Sequence, residues 1–210
     1  MGTISRSRNI PNSKDPLRGV SDVRQQLISS LLRLIKISPP QRPGTAANQS
    51  GSNGLFSGPT SLAYLFLWLS ETHPDLNIDK RSPREWCLAY LDSGSGDLTH
   101  AQGLRGWGIM NEYLAWNIVK AAVTGEESSV LKLVKAVEID FRYCPNDDNE
   151  FFSGRAGTLA LLRIVRHFVP SVADQVNRCI PSLTSHILTH APWYFHGRSY
   201  IGAAHGNIGK

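Results

Sequence analysis

The sequence predicts an all-α protein whose helices form an α/α toroid, an inner ring inside an outer one. Three observations lead there. Small-residue turns recur about every fifty residues, at Gly58-Pro-Thr-Ser61, Gly108-Ile-Met-Asn111, Gly154-Arg-Ala-Gly157 and Gly206-Asn-Ile-Gly209. The first three lead into SLAYLFLWLS, NEYLAWNIVKA and TLALLRIVRHF, each apolar over most of a helical circumference. The helices predicted between them are apolar on one face only. A period of this length indicates stacked or ring-like helical units, with buried helices inside and amphipathic ones outside. An open α-solenoid is the second architecture with such a period, but it does not explain why glycine turns fall only at inner-helix starts.

Taken in order, residues 1–15 are polar and read as a disordered N-terminus, and residues 16–210 as a single domain. Leu17, Val20, Leu27, Ile28, Leu31, Leu32 and Ile35 form a helical stripe over 16–36, which Pro39 and Pro40 end. The Pro/Gly/Ser/Asn-rich stretch 39–54 lacks apolar surface and reads as a flexible loop. Ser82-Pro83-Arg84-Glu85 is a capping box with proline at the first helical position, opening a helix to about Leu91. Thr124-Gly-Glu-Glu127 is expected to open the next outer helix in the same way. Ser171 is expected to start another, with Val172, Val176, Cys179, Ile180, Leu183 and Ile187 on its apolar face. No segment alternates with period two over a useful length, so strands are not the main element.

Composition narrows the function classes. An apolar fraction of 41% and a charged fraction of 19% are ordinary for a globular chain of 210 residues. No apolar run approaches the roughly 20 residues needed to span a bilayer, and the N-terminus lacks a secretory h-region. The expected location is the cytoplasm, with no transmembrane segment and peripheral membrane contact left open. The net charge of +5 comes from scattered residues, with no basic run or aromatic-interleaved strip, so no nucleic-acid partner is expected. Cys87, Cys144 and Cys179 are far apart and form no CxxC or Cys-His pair, which argues against a disulfide framework or a metal site built from them.

Helix N-termini carry unpaired N–H groups and partial positive charge, and small residues there admit a ligand or a neighbouring backbone. If the inner helices start at one end of a ring, side chains just before those starts line a common cavity. Glu150 and Arg155 flank the third turn and His205 the fourth; Trp193, Tyr194, His196 and Tyr200 precede it. Spacing alone favours tight helix packing over ligand binding for the glycines, and a packing role for the aromatic lead-in. A histidine set between Ala203, Ala204 and Gly206 keeps its imidazole accessible, and a carboxylate four residues before Gly154 can exchange protons with it across a cavity.

LFSGPTSLAYL (55–65), EFFSGRAGTLALL (150–162) and WYFHGRSYIGAAHGNIG (193–209) resemble conserved-type segments of the LanC-like proteins, relatives of the bacterial lanthionine synthetases. With GIMNEYLAW, the likeness runs from residue 55 to the end and is nearer the eukaryotic branch. The resemblance implies the α/α toroid, of which this chain would supply about half of a seven-hairpin ring. It implies zinc-dependent addition of a thiol, glutathione or a peptide cysteine, to dehydroalanine or dehydrobutyrine residues. It gives His205 and Glu150 (Asp148 as fallback) the handling of the α-carbon proton, and makes Arg155 a substrate contact. The family's zinc ligands, a cysteine and a later Cys-His pair, match nothing in this chain. The expectation is a chain inactive alone, with apolar flanks of 61–70 and 172–188 uncovered and poor solubility as a result. A non-catalytic glutathione- or protein-binding module is the alternative. A toroidal glycoside hydrolase ranks last, because Glu150 has no second carboxylate facing it at a helix start.

Overall fold

Asp22 opens the first helix: its carboxylate accepts from the Gln25 N–H at 2.8 Å, satisfying one of the donors that a helix start leaves unpaired. In the computed structural model, which describes residues 22–41, 54–93, 107–143, 149–194 and 197–202, this helix is α1, Val23–Ile37. The expected stripe positions Leu17 and Val20, and the fourth small-residue turn with His205, lie outside the described residues. The chain continues as α2 (Pro59–Thr72), α3 (Pro83–Ser93), α4 (Glu112–Thr124), α5 (Glu127–Tyr143), α6 (Arg155–Phe168) and α7 (Ala173–Thr189), with a 3-10 turn at Pro170–Val172. No strand occurs among the described residues, so the all-α expectation holds.

The helix starts follow the local chemistry, with two departures. The capping box before α3 forms as read: Glu85 Oε2 accepts from the Ser82 N–H at 2.7 Å, and Ser82 Oγ accepts from the Glu85 N–H at 3.3 Å. The second expected box does not form. Thr124 belongs to α4 and donates its hydroxyl back to Lys120 O at 2.8 Å, while Gly125, at φ 73°, closes α4 in the left-handed conformation. A glycine one residue after a helix is a stronger stop signal than Thr-x-x-Glu is a start. Ser171 likewise falls inside the 3-10 turn, and α7 begins at Ala173.

Helices α2, α4 and α6 touch in succession; α3, α5 and α7 pack outside them, each against the inner helix that precedes it. The result is two layers of helical hairpins. The inner helices differ among themselves. α2 buries Thr60, Ala63, Phe66, Leu67 and Leu69 around its circumference, but α6 turns Arg163 and its Arg166–His167 end away from its buried face, so it is more one-sided than read from sequence.

Two apolar clusters share α4. Leu31 and Ile35 of α1 join α2, α3 and the Val119–Val123 flank of α4; Leu114, Ala115 and Ile118 of α4 face α5, α6 and α7. Full burial of each Leu, Ile or Phe side chain contributes about 1.5–3 kcal/mol, so this packing, not the exposed Arg24–Asp75 pair at 2.9 Å, holds α1 in place. Tyr90 OH donates to Ser38 O at 2.6 Å and Ser93 Oγ to Gln41 O at 3.0 Å, tying the segment after α1 to α3. The expected uncovered apolar flanks are covered only in part: Leu188 of α7 is exposed, and Tyr64 and Trp68 of α2 line an open groove. Val176, Cys179, Leu183 and Ile187 of α7 are buried against α5 and α6, and of the large apolar side chains in α2 only Leu65 is exposed.

Gly54, Gly108 and Gly157 lie where the inner elements approach one another closely. A Cβ on Gly157 would overlap Phe151 O and the Gly108 backbone; one on Gly108, at φ 87°, would overlap the Phe152 carbonyl. Gly157→Ala is expected to destabilise the chain by about 1–3 kcal/mol, read as a shift of the urea midpoint. Gly125→Ala, with nothing within 4 Å, should cost only the left-handed backbone term of about 1–2 kcal/mol. Equal, small effects at both positions would contradict the close packing of the turns.

Candidate functional site at the inner-helix starts

Three five-residue turns lie side by side at the N-terminal ends of the inner helices: Gly54–Gly58, Gly108–Glu112 and Glu150–Gly154. Their backbones hydrogen-bond in sequence. Leu55 N donates to Ile109 O at 2.8 Å, Ile109 N to Phe151 O at 3.4 Å, and Met110 N to Phe152 O at 2.9 Å. This register pairs GLFSG with GIMNE and EFFSG, so Gly108 corresponds to Gly54 and not to Gly58, as the fifty-residue spacing had it. The helix after the second turn is capped by Asn111, whose side chain accepts from the Leu114 N–H at 2.9 Å.

Each glycine that opens a turn hands its N–H to the next inner helix. Gly54 N donates to Glu112 Oε2 at 2.8 Å and Gly108 N to Thr158 Oγ1 at 2.8 Å. Glu112 also accepts from Thr60 Oγ1 at 2.5 Å, so one carboxylate joins the first turn, α2 and α4. Burial pushes the Glu112 carboxyl above its ordinary value, an effect that the bonds from Thr60 and Gly54 partly offset.

Glu150 sits at the position of the first glycine in the third turn and is fully buried. Its carboxylate accepts from Phe152 N and Ser153 Oγ, at 2.8 and 2.6 Å, and from Ser153 N. Arg155 is buried too, its guanidinium 3.3 Å from Asn149 Oδ1 and 5.4 Å from the centre of the Trp107 ring. Sequence reasoning named both residues and placed them at the third turn, where they are. It missed Glu112, Thr60 and Thr158. The signal for them was the five-residue alignment of the turns, obscured by matching glycine to glycine at Gly58 and Gly108. His205, His196 and the fallback Asp148 lie outside the described residues, so no distance between Glu150 and His205 is defined. Of the aromatic lead-in, Trp193 caps the end of α7 by donating to Ile187 O at 2.7 Å, while Tyr194 and Tyr200 are exposed.

The zinc that the family resemblance implies finds no donor set among the described residues. Zinc needs three converging protein ligands; among the described residues no three His, Cys, Asp or Glu side chains converge in that way. Cys87 on α3 and Cys179 on α7 are buried, and burial drives their thiols up to about 12 and about 11. That favours the protonated thiol over the thiolate a metal binds.

Comparison with protein-family models, with characterised proteins and with solved structures returns no match. Among the described residues no helix is long and apolar enough to cross a membrane.

What the described site does is hold buried backbone polar groups in place. Glu112→Ala leaves the Gly54 N–H and the Thr60 hydroxyl without their acceptor and is expected to cost about 1–3 kcal/mol in chemical unfolding. The carboxyl's folded-state pKa lies above its ordinary 4.5, so the folded state binds the proton more tightly. Glu112 therefore favours folding most below 4.5, and that contribution falls as pH rises through the folded-state value. Glu112→Gln should remove this fall from a pH series of unfolding midpoints; an unchanged pH profile would contradict the assignment.

Proposed function

We propose that the chain is a LanC-like scaffold whose two layers of hairpins belong to an α/α toroid. The reaction of such a protein is the addition of glutathione or a peptide cysteine to dehydroalanine or dehydrobutyrine residues, forming thioethers. The observation that carries the reading is the register of the three inner-helix turns. The motifs that resemble the family, LFSGP and EFFSGRAG, lie at the same end of the first and third inner helices, on either side of the α4 turn, the end at which a toroid gathers its functional side chains. In this reading Glu150 and His205 handle the proton gained at the α-carbon, and Arg155 contacts the substrate.

Zinc activation of the thiol is not assigned to this chain's residues, for the reasons of donor geometry and thiol protonation given above. The chain on its own is therefore expected to form no thioether. The burial of Glu150, whose carboxylate is engaged by its own turn, favours the second reading: a non-catalytic module that binds glutathione or a partner protein.

The test combines calorimetry with mass spectrometry, using the chain, glutathione, zinc and a dehydroalanine peptide. Glutathione binding without a peptide adduct above the buffer rate is the expected outcome and supports the module. An adduct whose rate His205→Ala abolishes supports catalysis by this chain. Neither binding nor adduct removes both readings.

A further inference from the structure

A groove of about 640 Å³ runs between α2 and α6. Leu55, Ile109 and Phe151, one from each of the three stacked turns, close one end. Tyr64 and Trp68, one helical turn apart, form the α2 wall. At the other end the Trp68 and His167 rings stack 5.2 Å apart, and His167 Nε2 meets both oxygens of Glu71 at 2.8 and 2.9 Å.

The α6 wall is cationic. Arg163 and Arg166 both line it, but they differ in what they are free to do. Arg166 is held by α7, its Nη1 donating to Asn177 Oδ1 at 3.0 Å. Arg163 is exposed, and no carboxylate among the described residues pairs with it. Glu71 is engaged by His167. A volume of this size is within the range of small-molecule sites, which combine an apolar lining with a few convergent polar groups. One uncommitted guanidinium fork matches one carboxylate in a two-bond geometry. A flat apolar body then has Tyr64 and Trp68 to lie against.

We propose that this groove binds an aromatic monocarboxylate, its carboxylate on Arg163 and its ring against Trp68. The site uses none of Glu150, Arg155 or His205, so it stands or falls separately from the thiol-addition reading.

The probe is 2-naphthoate, with uncharged 2-naphthamide as its isostere, titrated calorimetrically into the full chain. Naphthoate is expected to bind about tenfold more tightly than the amide, the worth of one charge-assisted pair. Arg163→Gln should reduce naphthoate affinity by about that factor and leave the amide within about twofold, while Arg163→Lys should keep part of the preference. Arg163 is exposed, so an unchanged circular dichroism melt is the check that the variant is folded. Naphthoate should also move one tryptophan indole N–H signal in a proton–nitrogen correlation spectrum, the signal missing from Trp68→Phe. Equal affinity for acid and amide, an Arg163→Gln variant that keeps the preference, or no binding of either probe by the folded chain overturns the proposal.

Discussion

The constraint on which the rest of this structure depends is that backbone groups buried between helices must find partners. At the inner-helix starts they find them in one another. Leu55, Ile109 and Met110 donate to carbonyls of the neighbouring turn, and the glycine N–H groups that no carbonyl reaches go to Glu112 and Thr158. Buried donors and acceptors are nearly always satisfied in folded proteins, because leaving one unpaired costs more than a typical hydrogen bond returns. Once this ladder of turns is formed, the directions in which α2, α4 and α6 leave it are fixed.

The outer layer follows from the inner one. With three inner helices leaving from adjacent turns, each must bury a flank that its neighbours do not cover. α3, α5 and α7 supply one apolar face apiece for that purpose. α4 has neighbours on most sides and contributes to both clusters: Val119 and Val123 to one, Leu114, Ala115 and Ile118 to the other. Side-chain packing of this kind is non-directional, so it supplies the free energy, while the turns select the arrangement.

Helix identity was legible because it rests on periodicity and on caps. The Ser82–Glu85 box and the α7 stripe of Val176, Cys179, Leu183 and Ile187 are local patterns that the chain cannot satisfy otherwise. The Thr124 box was misread because two local signals competed, and the left-handed Gly125 prevailed. The register of the turns was harder to see. Gly54, Gly108 and Glu150 occupy one structural position with no residue type common to all three: the two glycines give an N–H to a neighbour, and the glutamate caps its own turn with a side chain. Sequence alone shows a glycine at Gly58 and another at Gly108 and invites pairing them. Glu112 was invisible for the same reason, since its partners Gly54 and Thr60 lie more than fifty positions earlier. Glu150 and Arg155 lie at the third turn but are buried, Glu150 engaged by its own turn and Arg155 beside Asn149 and Trp107, which no local pattern encodes.

The contact between Glu71 and His167 joins residues 96 positions apart and links the first and third inner helices without passing through α4. Both side chains are about half exposed, so the contact itself adds little to stability. Its bearing is on the order of events in folding. Contacts of high sequence separation form only after the intervening chain has been organised, here α3, α4, α5 and both their turns. The α2–α6 ends are then the last part of the inner layer to come together and the first to separate, at a cost well below that of global unfolding. The amides of the final turns of α2 and α6 are then expected to exchange fastest in that layer, and those at the stacked turns, at the opposite end of the same helices, slowest.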